Sequence, residues 1–135
     1  SLHDALPILT NSIKNTMKAL NLSLLDYTTL ADNTRSPGRY VFYIEIQEQA
    51  SLPLKNKIEQ LLDKELRKSN LAYGRFRSNN RLANLKVIIV KPKTFYKIKE
   101  FLQNKGVSKN QIKVPRVITT NERIKNIIKN EIINL

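Results

Sequence analysis

A chain of 135 residues with 41% apolar content fits one domain around one hydrophobic core and is too apolar for a disordered tail. It has no cysteine and one histidine, which excludes disulfides, thiolate metal sites and histidine-rich metal sites; no apolar run approaches the ~20 residues of a membrane span, and the start lacks a signal-peptide pattern, so a cytoplasmic setting is expected. The net charge of +13 comes from cations spread along the whole length, without a dense basic block or interleaved stacking aromatics, which favours A/T-rich codon bias (Lys, Asn and Ile are all abundant) over a nucleic-acid footprint.

In chain order, Ser1 to Ile8 (SLHDALPI) reads as a translated sequencing adapter. Residues 1–8, with His3, are therefore set aside, and a larger N-terminal part is expected upstream of Leu9. Thr10 or Asn11 can cap a first helix with Ile13, Met17 and Leu20 on one face. Leu22 to Leu30 is a strand candidate. The turn signal Ser36-Pro37-Gly38 joins it to Tyr40–Ile46, where Tyr40, Phe42, Ile44 and Ile46 alternate onto one face. A second helix runs from about Pro53 to Lys68, with Leu54, Ile58, Leu61, Leu62 and Leu66 apolar and Pro53 in its first turn. Leu71 to Phe76 reads as a weak strand and Lys86 to Val90 as a short central one. A third helix starts near Thr94, carries Phe95, Ile98, Phe101 and Leu102, and is ended by Gly106. Val114 to Ile118 suits a short edge strand that tolerates Pro115. A last helix from about Asn121 buries Ile124, Ile127, Ile128 and Ile132. The order predicts an α+β fold: a small mixed or antiparallel sheet flanked by about four helices.

Taken residue by residue, the chain carries no self-contained active site. It lacks a phosphate-binding loop, a dinucleotide fingerprint and a histidine-containing triad. Glu59 and Asp63 fall on the long second helix, where they are expected on the solvated face. At this level the reading is a basic α+β domain, and a stand-alone nucleic-acid-binding module is the alternative function.

Three stretches sharpen it. Leu25 to Ile46 reads LDYTTLADNTRSPGRYVFYIEI. Asn70 to Arg77 reads NLAYGRFR and leads into Leu85 to Phe95, LKVIIVKPKTF. Gly106 to Arg116 reads GVSKNQIKVPR. In order and spacing they resemble the C-terminal domain of the auxin-responsive, Gretchen Hagen type acyl acid amido synthetases over about Thr10 to Ile118. The family patterns they resemble are D-[YF]-T-S-x-A-D, Y-V-x-[YF]-W-E-[IL], N-x-x-Y-x-x-x-R, L-x-V-x-x-V-x-x-G-T-F and G-x-S-x-x-Q-[YF]-K-x-P-R. Arg39 stands where that family usually has histidine, Lys93 where it has the glycine before Thr-Phe, and Ile112 where it has an aromatic residue.

The resemblance implies that residues 9–135 are the lid of an adenylate-forming enzyme similar in design to firefly luciferase and the acyl-CoA synthetases. A missing N-terminal adenylation domain would bind ATP, Mg2+ and a carboxylic acid, form an acyl-adenylate, and pass the acyl group to an amine or amino acid. The fragment is expected to be inactive alone. Lys113 is the expected catalytic charge, because a compact ammonium on a flexible stem suits phosphate or carboxylate oxygens. Gln111 is expected to contact the substrates or to hold its loop, and Arg116 to pair either with phosphate or with a carboxylate of the lid. Asp32 and Arg35 are candidates for the hinge or for the turn before Pro37. Tyr73 and Arg77 are expected to pack or to lie at a sheet edge.

Overall fold

The computed structural model describes residues 5–106 and 112–135. Its elements are α1 (Leu6–Ala19), β1 (Leu24–Asp32), β2 (Arg39–Ile46), α2 (Leu52–Ser69), α3 (Leu71–Ser78), β3 (Lys86–Ile89), α4 (Thr94–Asn104) and α5 (Glu122–Lys129). The sheet order is β1-β2-β3, with β1 antiparallel and β3 parallel to β2. The fold is thus α+β with a mixed sheet, as the pattern of the sequence predicts.

Both faces of this sheet are covered. On one face Leu9, Ile13 and Met17 of α1 and Ile58, Leu62 and Leu66 of α2 pack against Phe42, Ile44, Ile46 and Val87. On the other, Phe95 and Ile98 of α4 and Ile124 and Ile128 of α5 form a second cluster with Val90, Val114 and Ile118, flanked by Leu30 and Tyr43. The strict alternation of β2 therefore extends to a second buried side. Its outward set includes Glu45, whose buried carboxylate accepts the Lys93 and Phe95 backbone N–H groups at 3.1 and 3.0 Å and so caps the start of α4.

Several boundaries differ from the expectations. α1 starts at Leu6, with Pro7 in its first turn, ahead of the expected caps Thr10 and Asn11. Leu71 to Phe76 is helical, not a strand: Asn70 accepts the Tyr73 N–H at 3.0 Å and caps an eight-residue helix. Among the described residues the helices number five, the short α3 adding to the four read from the sequence. Ile132 lies beyond α5, in a short tail that bridges Val90 antiparallel to β3. Ser51 caps α2, and Gly106 takes a positive φ of 87° just past α4, both at the expected junctions. The β1–β2 connection contains a cis Ser36–Pro37 bond. At Gly38 a side-chain Cβ would stand 2.9 Å from the Asn33 amide oxygen and 3.2 Å from the Asp32 carbonyl, so a larger residue would crowd the turn and require Asn33 to move.

Candidate functional site

Two of the residues expected to carry chemistry, Lys113 and Arg116, fall on a strap, residues 112–119, that runs along the outer edge of β1. Val114 and Ile118 are buried in the second cluster, which roots the strap from below. Thr29 donates its backbone N–H to the Arg116 carbonyl at 2.9 Å and receives the Ile118 N–H at 2.8 Å, forming a parallel bridge with Val117. This is the short edge pairing expected for Val114–Ile118, reduced to a single bridge. Pro115 has no N–H to offer a ladder, so side chains complete the seam. Thr28 and Thr29 donate their hydroxyls to the Pro115 and Arg116 carbonyls, each at 2.6 Å, and Thr119 accepts the Ala31 N–H at 3.0 Å.

Lys113 lies at the start of this seam. It is exposed, while its neighbour Val114 is buried. The ammonium is therefore neither enclosed by the sheet nor used in the core. Arg116 points the other way, back onto β1: its guanidinium pairs with the Asp26 carboxylate, donates to the Tyr27 carbonyl at 2.5 Å, and stacks 4.5 Å from the Tyr27 ring centroid. Of the two alternatives for Arg116, the structure shows pairing with a carboxylate of its own domain, Asp26. Gln111 lies outside the described residues.

Asp32 and Arg35 are brought to the β1–β2 turn. Asp32 ends β1; one of its carboxylate oxygens accepts the Thr34 N–H at 3.0 Å and the Thr34 hydroxyl at 2.5 Å, and the other accepts Arg39 Nε at 3.1 Å. The Thr34 bonds first, and the Arg39 charge after them, hold its carboxyl below the usual range against the opposing effect of desolvation. Arg35 is exposed on the same turn, over a groove that Arg39, Lys55 and Lys86 also line.

Two acids expected on a solvated face are tied into the fold instead. Glu59 accepts Lys55 Nζ at 2.7 Å and the Val87 N–H at 2.9 Å, covering a backbone donor of β3. Asp63 receives the Tyr73 hydroxyl, Arg77 Nε at 2.9 Å and Arg67 Nε at 3.0 Å. Tyr73 and Arg77 are thus packing residues, on a helix and not at a sheet edge. Their spacing of four along α3 was the signal: it places both on one helical face, turned to the same carboxylate.

The fold and motif geometry can be set beside known proteins. The model of the GH3 family C-terminal domain matches residues 8–122. The chain belongs to the GH3 family. This GH3 domain is 33% identical over 102 residues to the putative indole-3-acetic acid-amido synthetase GH3.9 of Arabidopsis thaliana, covering 75% of the chain and 17% of that protein. It is 28% identical over 127 residues to indole-3-acetic acid-amido synthetase GH3.15 of the same plant, covering 90% and 21%. A solved structure of the GH3.15 acyl acid amido synthetase superposes with a TM-score of 0.83 at 26% identity, over 94% of this chain and 23% of that one. The chain thus spans about a fifth of the length of the relatives it matches. The GH3 domain also explains one departure from the family pattern: Lys93, in place of glycine, has φ 71°, the left-handed backbone for which glycine is suited.

Proposed function

We propose that this chain is the C-terminal lid of an ATP-dependent acyl acid amido synthetase, with Lys113 as the charge it delivers. In that enzyme a separate N-terminal domain would hold the nucleotide and a carboxylic acid. The carboxylate oxygen attacks the α-phosphorus and pyrophosphate leaves; the amine nitrogen of the second substrate then attacks the acyl carbon and AMP leaves as the amide forms. Neither step needs a protein nucleophile. Both need alignment, neutralisation of developing negative charge and exclusion of water.

The observation that carries the reading is the contrast along the strap. A solvent-facing lysine is rooted by a buried valine and by a seam of hydrogen bonds to β1, so its stem starts from a fixed point. Closing this face over a bound nucleotide would bring a positive charge to phosphate or carboxylate oxygens without burying it beforehand. Mg2+ would supply further charge neutralisation at the phosphates. The residues here do not fit it: among the described residues no three acidic or histidine side chains converge, and Asp26, Asp32 and Asp63 are each engaged by arginine. Its ligands are assigned to the N-terminal domain.

The test restores an N-terminal adenylation domain to the chain and measures pyrophosphate release and amide formation. Lys113→Ala is expected to slow pyrophosphate release by roughly 100-fold with no change in thermal unfolding. A release rate equal to that of the parent protein would remove Lys113 from the mechanism.

A further inference from the structure

Two of the motifs singled out in the sequence lie almost ninety residues apart and meet in space. In the stretch Asp26 to Thr29, each residue makes a contact to the strap. Asp26 pairs with Arg116. Tyr27 accepts the Arg116 guanidinium at its carbonyl and lies beneath it with its ring. Thr28 and Thr29, both fully buried, donate their hydroxyls to two successive strap carbonyls at 2.6 Å. On the strap side the partners are Pro115 and Arg116, the two residues that follow Lys113-Val114.

We infer that Asp26, Thr28, Thr29 and Arg116 are positioning residues: a clamp that fixes where Lys113 leaves the surface. The inference rests on the catalytic reading of Lys113 given above. A lysine side chain is long and flexible, so the place of its Cα determines which oxygens the ammonium reaches. Pairing through backbone alone is limited to one bridge at Thr29, because Pro115 lacks an N–H. Without the threonine hydroxyls and the Asp26–Arg116 pair, the seam next to Lys113 would keep that bridge, the Arg116–Tyr27 contact and buried Val114, with Thr119 and Ile118 holding only its far end. A displacement of about 1 Å is enough to cost up to roughly 100-fold in rate.

The experiment has two arms. In the chain itself, Thr28→Val and Asp26→Asn are compared with the parent by hydrogen exchange at the Thr29 and Ile118 amides, which bond across the seam. Both variants are expected to lose protection there while α2 amides are unchanged, and Thr28→Ser, which keeps a hydroxyl, is expected to restore it. In the protein with its N-terminal domain restored, the same variants are expected to lower kcat for pyrophosphate release by roughly tenfold. In a Lys113→Ala background they should have no further effect, since a clamp that acts through Lys113 cannot be coupled to an absent side chain. Equal losses in both backgrounds would show general destabilisation and overturn the proposal, as would unchanged exchange at Ile118. Lost protection together with a silent Lys113→Ala would overturn the catalytic reading of Lys113, and the positioning role with it, while leaving the seam as a structural contact.

Discussion

Lys93 combines two unfavourable features at one position. Its φ of 71° puts a side chain in the left-handed region, which costs roughly 1–2 kcal/mol for a residue with a Cβ. It also places a cation at the N-terminus of α4, where the helix dipole is positive. The buried Glu45 carboxylate below it offsets the second effect by accepting the Lys93 and Phe95 N–H groups. Those bonds use only the backbone at Lys93, so a glycine would keep them and remove the strain. Lys93→Gly is expected to stabilise the domain by about 1 kcal/mol, read as a rise of about 3–6 °C in the thermal midpoint. A lower midpoint would mean that the lysine side chain makes a compensating contact. The start of α4 near Thr94 was legible in the sequence, but its Glu45 cap was not, because the partner amides lie some fifty residues downstream of that strand residue.

At the scale of elements, one carboxylate ties α3 to α2: Asp63 accepts hydrogen bonds from Tyr73 and Arg77. Burial alone would raise the Asp63 pKa, but hydrogen bonds from Arg77 and Tyr73, with the charges of Arg77 and Arg67, outweigh it and hold the carboxyl below its ordinary value. A depressed folded pKa gives stability that is fully present above the unfolded value of ~3.9 and is lost as pH falls through the folded one. Tyr73 moves the opposite way: burial first, then the bond to Asp63, raise its pKa, so its contribution is present below the unfolded value of ~10 and declines as pH rises beyond it. The urea midpoint is therefore expected to fall below about pH 4 and above about pH 10, and Asp63→Asn should flatten the acid limb. An acid limb of the same slope in the variant would place the titrating group elsewhere. This cluster also marks where sequence patterns stop. The helical period of α2 and the alternation of β2 were plain, because each is a local repeat. The segment Leu71–Phe76, rich in residues that also suit strands, was misread, since its helicity depends on the Asn70 cap and on Tyr73 and Arg77 sharing a distant partner. In the candidate site, Lys113 was named from its motif, and the structure shows it exposed at the start of the strap. The seam that roots it was not legible, because it pairs residues eighty-seven or more positions apart.

For the whole molecule, a three-stranded sheet with helices on both faces still has two edges, and unpaired edges invite association with other chains. Along β1 the strap covers the stretch from Thr29 to Ala31. Along β3 the cover is the tail after α5: the Lys91 N–H donates to the Glu131 carbonyl at 2.8 Å, the Ile133 N–H to the Ile89 carbonyl at 3.0 Å, and Glu131 also pairs with Lys97 at 2.7 Å. Ile133 packs on the first cluster, while Val90, opposite Ile132, belongs to the second, so this tail stitches both cores to one strand. Deleting residues 131–135 would uncover the β3 backbone and remove three backbone hydrogen bonds, two of them to that edge, and a packed isoleucine, a loss of about 2–4 kcal/mol. Asn134 and Leu135 are exposed, so removing them alone leaves the edge covered. The longer deletion is therefore expected to lower the urea midpoint and to produce concentration-dependent light scattering, whereas the two-residue deletion leaves both unchanged. If the longer deletion scatters no more light than the parent and keeps its midpoint, the tail does not guard the sheet.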